Sequence, residues 1–329
     1  MKVLFIGGTG IISTACTALA IERGIELYHL NRGQKQADIP RSVKNIRADV
    51  RDLAATKSAL REHKFDAVVD WIAFTKQHVE ASIELFAGKT GQYIFISSAS
   101  AYQKPPTHYL ITESTPLANP YWEYSRNKIE CEERLMREYR EKSFPMTIVR
   151  PSHTFGETII PHGVGSWQNS WTIADRMLKK KLIIVHGDGS SLWVITHNSD
   201  FAKAFNGLLG NPQTIGHAFH ITTDEVHTWD QIHQTIGAAL GVEPKLVHIA
   251  SETIVKHRAD ELGSLIGDKS NSVVFDNTKI KRFVPDYVAS VPLLDGMRRS
   301  IAWFKADAKR QTIDAEANQW MDALIESQR

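Results

Sequence analysis

Cysteine is almost missing from this chain of 329 residues: Cys16 and Cys131 are the two present, each inside a stretch with helical spacing. Two isolated cysteines build no disulfide framework and show no metal-ligand spacing, so no metal is expected and a reducing cytoplasm suits the chain. Long apolar runs are missing as well, none approaching the ~20 residues needed to span a bilayer. Met1–Ile6 enters a glycine-rich turn directly, without the apolar core and small-residue cleavage site of a signal peptide. Charge of one sign is not in excess, with 39 Lys and Arg against 37 Asp and Glu. That balance offers no global field to a nucleic acid or an anionic membrane. With no repeat and no low-complexity tract, 42% hydrophobic and 23% charged residues exclude disorder. A cytoplasmic, soluble protein of one large or two moderate domains is expected.

What is present is alternation. Val3–Ile6, Ile25–Leu30, Val43–Arg47, Ala67–Asp70, Tyr93–Ser97 and Thr147–Arg150 read as buried strands. Helical spacing separates them over Ile11–Arg23, Asp52–Glu62, His78–Phe86 and Tyr121–Tyr139. This order predicts an α/β fold with a doubly wound parallel Rossmann sheet over residues 1–150. Its strands lack period-two patterning because helices cover both faces. After Pro151 the rhythm breaks into the loop-like His153–Gly165, then helices at Trp171–Lys180, Trp229–Leu240, Leu293–Lys305 and Ile313–Glu326, with strands at Leu182–Val185 and Lys245–Ile249. Residues 151–329 are expected to form a smaller mixed α/β substrate domain, with segments near 190–205 returning to the first. In the last helix Ile313, Ala317, Trp320 and Leu324 make the predicted packing stripe.

Gly7-Gly8-Thr9-Gly10-Ile11-Ile12-Ser13 follows the first strand and opens a helix. Glycines there let the backbone approach a pyrophosphate, whose charge the helix N-terminus binds. Gly7, Gly10, Ile11 and Ile12 are the expected contacts, with Ser13 where a third glycine is usual. The ribose-reading position after the second strand holds Asn31-Arg32 and no carboxylate, so the cofactor is NAD or NADP with a lean to NADP through Arg32. Arg32 could equally cover the adenine or face solvent. Asp49-Val50 either meets the adenine or begins a helix cap.

Tyr124 and Lys128 stand four residues apart, on one helical face. An ammonium beside a phenol favours the phenolate, which makes Tyr124 a general acid/base, and Lys128 could also hold a nicotinamide ribose. Upstream, Ile96-Ser97-Ser98-Ala99-Ser100 ends the fifth strand, where ligands of such sheets bind. Ser98 is the candidate to hold the substrate oxygen, and Ser100 a lesser one.

Together these features resemble the extended short-chain dehydrogenases/reductases of the NAD-dependent epimerase/dehydratase family. The likeness also draws on Arg150-Pro151, on Gly187-Asp188-Gly189 through Thr196-His197-Asn198-Ser199-Asp200, and on Phe275–Lys279. It implies a Ser98/Tyr124/Lys128 catalytic set, hydride transfer at a sugar or nucleotide-sugar hydroxyl, Trp71-Ile72-Ala73 and Pro151 along the cofactor, and a homodimer through the Tyr124 helix. The chain departs from the family at Trp193, where nucleotide-sugar members carry a pyrophosphate-gripping arginine. Arg176, Arg298 and Lys180 are substitutes only if they are not ordinary surface charges. Trp122, Trp167, Trp171 and Trp193 either stack on a sugar-like ligand or belong to the core. His153 and His162 are either a second acid/base or structural. Ala99 and Ser100 replace the acids that sugar dehydratases carry after the hydroxyl residue. A second resemblance, through Leu30-Asn31-Arg32-Gly33 and the Ser-Ser-Ala-Ser-Ala-Tyr run, is to chloroplast stem-loop-binding proteins, which would make the chain RNA-associated. A regulator that senses its cofactor is the third reading.

Overall fold

A computed structural model of the chain describes residues 1–33 and 39–328. Seven parallel strands form the main sheet. The first five are β1 (Lys2–Ile6), β2 (Glu26–Asn31), β3 (Lys44–Arg47), β4 (Phe65–Asp70) and β5 (Thr90–Ile96). The strands Met146–Pro151 and Ala218–Ile221 complete it, giving the order Ala218–Ile221, Met146–Pro151, β5, β4, β1, β2, β3. Along β1, Val3 and Phe5 enter the core on one face, Leu4 and Ile6 the core on the other. That division is why four consecutive apolar residues are needed. The strand order reverses between β1 and β4, so the crevice for a ligand opens past Ile6 and Asp70.

Helices α1 (Ile11–Glu22), α2 (Leu53–Ala59), α3 (Lys76–Phe86) and α4 (Glu123–Lys142) cover the faces. Ser13 closes the start of α1: its Oγ accepts from the Gly10 N–H at 2.8 Å and its hydroxyl donates to the Gly10 carbonyl. Serine therefore supplies a cap where glycine would supply only space. Asp52, whose carboxylate accepts from the Ala55 N–H at 2.9 Å, is the cap of α2; Asp49 is left for other work. The seventh strand, Ala218–Ile221, carries too few residues and too polar a flank to be read from the sequence. Its approach, the helix Asn198–Leu208, packs beside α1, and Asn198 donates its side-chain amide to the Ile11 carbonyl at 2.9 Å.

A second core gathers Trp171, Ile183, Trp229, Met297 and Leu324 from the later chain. Leu182–His186 and Lys245–Ile249 pair in parallel there, and His153–Phe155, expected as loop, forms a short strand beside Ile195–His197. The last helix begins at Ala315, which corrects the expected stripe. Ile313 precedes the helix and is exposed, and Met321 and Ile325 join Ala317 and Leu324 in burial. Arg176 is likewise no surface charge: it is fully buried, bonded to the Leu182 carbonyl and paired with Asp322 at 2.8 Å. Among the described residues no helix is long and apolar enough to cross a membrane.

Candidate active site

The glycine turn and the strand ends build a cleft of about 390 Å³ lined by Gly7, Thr9, Asn31, Arg32, Asp49 and Val50, joined by Ile72. Gly7 and Gly8 hold φ of +96° and +107°, a region side chains rarely enter. A Cβ on Gly8 would stand 2.7 Å from the His29 ring. The turn can thus lie flat against the sheet and leave the start of α1 facing the cleft, an arrangement that fits the pyrophosphate of a dinucleotide. Gly10 caps α1, Ile11 opens it toward a neighbouring hollow, and Ile12 packs on the core behind the turn.

At the ribose end Asn31 Oδ1 accepts from the Gly33 N–H at 2.9 Å, shaping the turn. Arg32 is exposed and lies 4.0 Å from the Asp49 carboxylate. Arg51, which the sequence reading overlooked, adds a second guanidinium to this cleft and donates to the Ile72 carbonyl. Its position directly after Asp49-Val50 was the available signal. Trp71 departs from expectation: its indole packs on Phe5 and Phe205, with ring centroids 5.5 Å and 5.0 Å away, and not along the cleft. Ala73 is buried and offers its carbonyl to Lys128.

Beyond the strand ends lies a cavity of about 500 Å³. Ser98, Ser100, Tyr124, Pro151 and His153 stand in its wall. Ser98 comes from the end of β5 and Tyr124 from the first turn of α4, so sheet and helix bring together residues 26 positions apart. Ser98 and Ser100 share a hydrogen bond of 2.9 Å, and Ser125 donates to Ser100 at 2.7 Å. Lys128 is buried, and its ammonium donates to the Ala73 and Ile96 carbonyls, both at 2.7 Å. It lies 5.7 Å from the Tyr124 ring centre. Burial brings the Lys128 pKa down to about 8. Burial also raises the Tyr124 pKa, against a smaller lowering by its hydrogen bond with Ser98. The sign is opposite to the expected effect of Lys128, because desolvation of the phenolate outweighs a cation already committed to two carbonyls.

Trp122, Trp167 and Trp193 are in the cavity wall, whereas Trp171 packs on Phe304 in the core. Trp193 is almost fully buried and its indole N–H has no partner. His153 is driven well below the usual imidazole pKa by burial and so stands neutral. His162 stacks on Trp167 at 4.8 Å, outside the wall. Arg298 pairs with Asp295 on the surface, and Lys180 lines a separate hollow with Asp322. The wall also holds Lys104, Asp268 and Lys269, none of them foreseen. Lys104 comes from a loop and Asp268 and Lys269 from the short helical segment Leu265–Lys269, and no periodicity or motif marks them.

The parallel sheet with its reversed strand order, the glycine turn at the switch point and the Ser98/Tyr124/Lys128 grouping define a dinucleotide-binding fold of the extended short-chain type. A family model for the NAD-dependent epimerase/dehydratase family matches residues 3–87 and 83–222, and the chain belongs to that family. Over 261 residues the chain is 26% identical to the chloroplast stem-loop binding protein of 41 kDa b of Arabidopsis thaliana, covering 75% of this chain and 65% of that protein. Over 151 residues it is 28% identical to the UDP-glucose 4-epimerase of Lactobacillus helveticus, covering 40% of this chain and 45% of the other. The chain therefore spans less than two thirds of the length of either curated relative. Among solved structures, an epimerase from Methanothermobacter thermautotrophicus superposes with a TM-score of 0.76 at 17% identity, covering 94% of both chains. At that identity the likeness is one of fold.

Proposed function

We propose that the protein is an NAD(P)-dependent epimerase or oxidoreductase that acts on a hydroxyl of a sugar or nucleotide sugar. The observation that carries this reading is that Tyr124 and Ser98 stand in the wall of one cavity, with the Lys128 ammonium fixed 5.7 Å from the Tyr124 ring. When bound, a nicotinamide nucleotide supplies the centre that accepts or returns a hydride. Gly7, Gly10 and the start of α1 would hold its pyrophosphate, and Asp49 and Val50 its adenine end. Ser98 binds the substrate oxygen, and Tyr124 takes the hydroxyl proton on oxidation and gives it back on reduction. Burial raises its pKa and so favours the protonated phenol, the form that donates on reduction; oxidation starts from the phenolate, after the phenol proton has left to solvent. Lys128, held by Ala73 and Ile96, is the positive charge available to the phenolate once the proton leaves. Arg32 and Arg51, both in the ribose end of the cleft, favour the 2′-phosphate of NADP over NAD.

A stem-loop-binding role, the property in the name of the A. thaliana relative, is the second reading and is favoured by that similarity. The near-balance of 39 basic and 37 acidic residues gives it no global positive field to work with. The deciding experiment is to denature purified protein, identify any released nucleotide by absorbance and mass, and titrate the emptied protein with NADH and NADPH. Bound or bindable nucleotide, with turnover lost in Tyr124→Phe, supports the hydride reading. Protein that takes neither nucleotide but retains RNA replaces it with the second.

A further inference from the structure

Lys269 is buried, with 5% of its surface exposed, yet it lies in the wall of the substrate cavity. Its ammonium carries three N–H donors and has one protein partner, the Ser264 carbonyl at 3.1 Å. Among the described residues no carboxylate lies within ion-pair distance of it. The acids nearby are otherwise engaged: Asp268 pairs with Lys104 at 3.3 Å, Asp260 with Arg258 at 3.2 Å, and Glu261 accepts from the Ser264 hydroxyl. The remaining neighbour is the face of Trp167, 4.7 Å away. A buried ammonium without a counter-charge is costly, and the group is usually either neutralised or completed by a ligand.

The segment around Lys269 is built for position. Its own carbonyl accepts from His186 at 3.1 Å and from the Trp229 indole at 3.2 Å, which ties the backbone to the second core. Trp193, in the same wall, bears no charge. Lys104 and Lys269 are thus the cations of the cavity, and Lys104 is already paired.

We infer that Lys269 is the anchor for an anionic group, a carboxylate or a phosphate, on the substrate, and that this cavity selects acidic sugars over neutral ones. The inference rests on the reading of the cavity as the substrate site. It does not depend on Tyr124 chemistry. Burial pulls the Lys269 pKa down in the protein without ligand, and an anion placed on the ammonium would reverse that.

Direct binding by calorimetry separates the two proposals, because it needs no turnover. D-glucuronate, glucose 6-phosphate and glucose are titrated into wild type, Lys269→Met, Lys269→Arg and Tyr124→Phe. At least one anionic sugar should bind wild type roughly tenfold more tightly than glucose, the size of one hydrogen bond to a charged group. Lys269→Met should abolish that preference, whereas Lys269→Arg and Tyr124→Phe keep it. Glucuronate ahead of glucose 6-phosphate identifies a carboxylate substrate, and the reverse a phosphate. Equal affinity for acidic and neutral sugars in wild type overturns the inference, as does a preference that survives in Lys269→Met. Because the first comparison uses wild type alone, it stands even if a variant fails to fold. A normal preference in a protein that binds no nicotinamide nucleotide would sink the hydride reading and leave this one intact.

Discussion

Gly8 and His29 are in contact across the first two strands: a Cβ added to Gly8 would stand 2.7 Å from the imidazole, with φ at +107°. The histidine ring is itself fixed by Thr17, 3.1 Å away, and stacks on Phe5 at 5.7 Å. The ring therefore has nowhere to go. Gly8→Ala should lose about 2–4 kcal/mol, combining left-handed strain with overpacking. Denaturant unfolding measures the loss, and nucleotide affinity should fall with it because the turn can no longer lie against the sheet. Stability within about 0.5 kcal/mol of wild type would show that the turn relaxes freely.

Acid should unfold the protein through its buried histidines. Burial lowers His29 and His162 to about 4 and His186 to about 3. Each lies below the unfolded value near 6.5, so between these values the unfolded chain binds protons that the fold refuses. Stability is then full above pH 6.5 and falls as the pH drops toward 4. Melting temperatures across that window should decline steeply, and His29→Gln should flatten part of the decline. A curve unchanged by that substitution would remove His29 from the account.

Lys128 acts with the same sign in an alkaline window. With its pKa about 8 in the fold and 10.5 unfolded, the unfolded chain binds more protons between those values, and stability contributed at this site rises with pH from 8 to 10.5. The burial cost at neutral pH is of the order of 3 kcal/mol. The stability of wild type relative to Lys128→Met should therefore increase by an amount of that order over the window. A constant difference would mean the ammonium is better solvated by the Ala73 and Ile96 carbonyls than its burial implies.

Arg32 offers a test of cofactor choice. It is exposed and only loosely tied to Asp49 at 4.0 Å, so removing it leaves the fold undisturbed. Arg32→Ala should weaken NADPH binding roughly tenfold or more and leave NADH binding within a factor of about two, as loss of a charge-assisted hydrogen bond predicts. Fluorescence titration with both nucleotides reads this out. Equal losses for the two would place Arg32 on the adenine and not on a phosphate.

Part of this protein is local and therefore legible in the chain itself. Val3–Ile6 must be a strand covered on both faces, because four apolar residues in succession before a glycine turn have no other inexpensive burial. The family membership rests on such local units. Tyr124 and Lys128 face one way because helical pitch sets four residues at one turn. The glycine turn at the mouth of the cleft is local in the same way, since Gly7 and Thr9 come directly after the first strand.

Other features were decided only by the tertiary structure. Trp71 follows a strand as a cofactor-facing residue should, yet Phe5 and Phe205, the latter from a distant helix, draw its indole into the core. Arg176 reads as a surface charge until Leu182, Asn318 and Asp322 close around it. Lys104 and Lys269 share a wall with Ser98 and Tyr124 because a loop and a short helical segment far apart in sequence meet there, and no residue spacing encodes such a meeting. Even the sign of the Tyr124 shift depends on how much water the assembled fold excludes. Hydrogen bonding and side-chain periodicity act over a few residues and can be read directly. Burial and charge pairing act through space, and so belong to the folded chain alone.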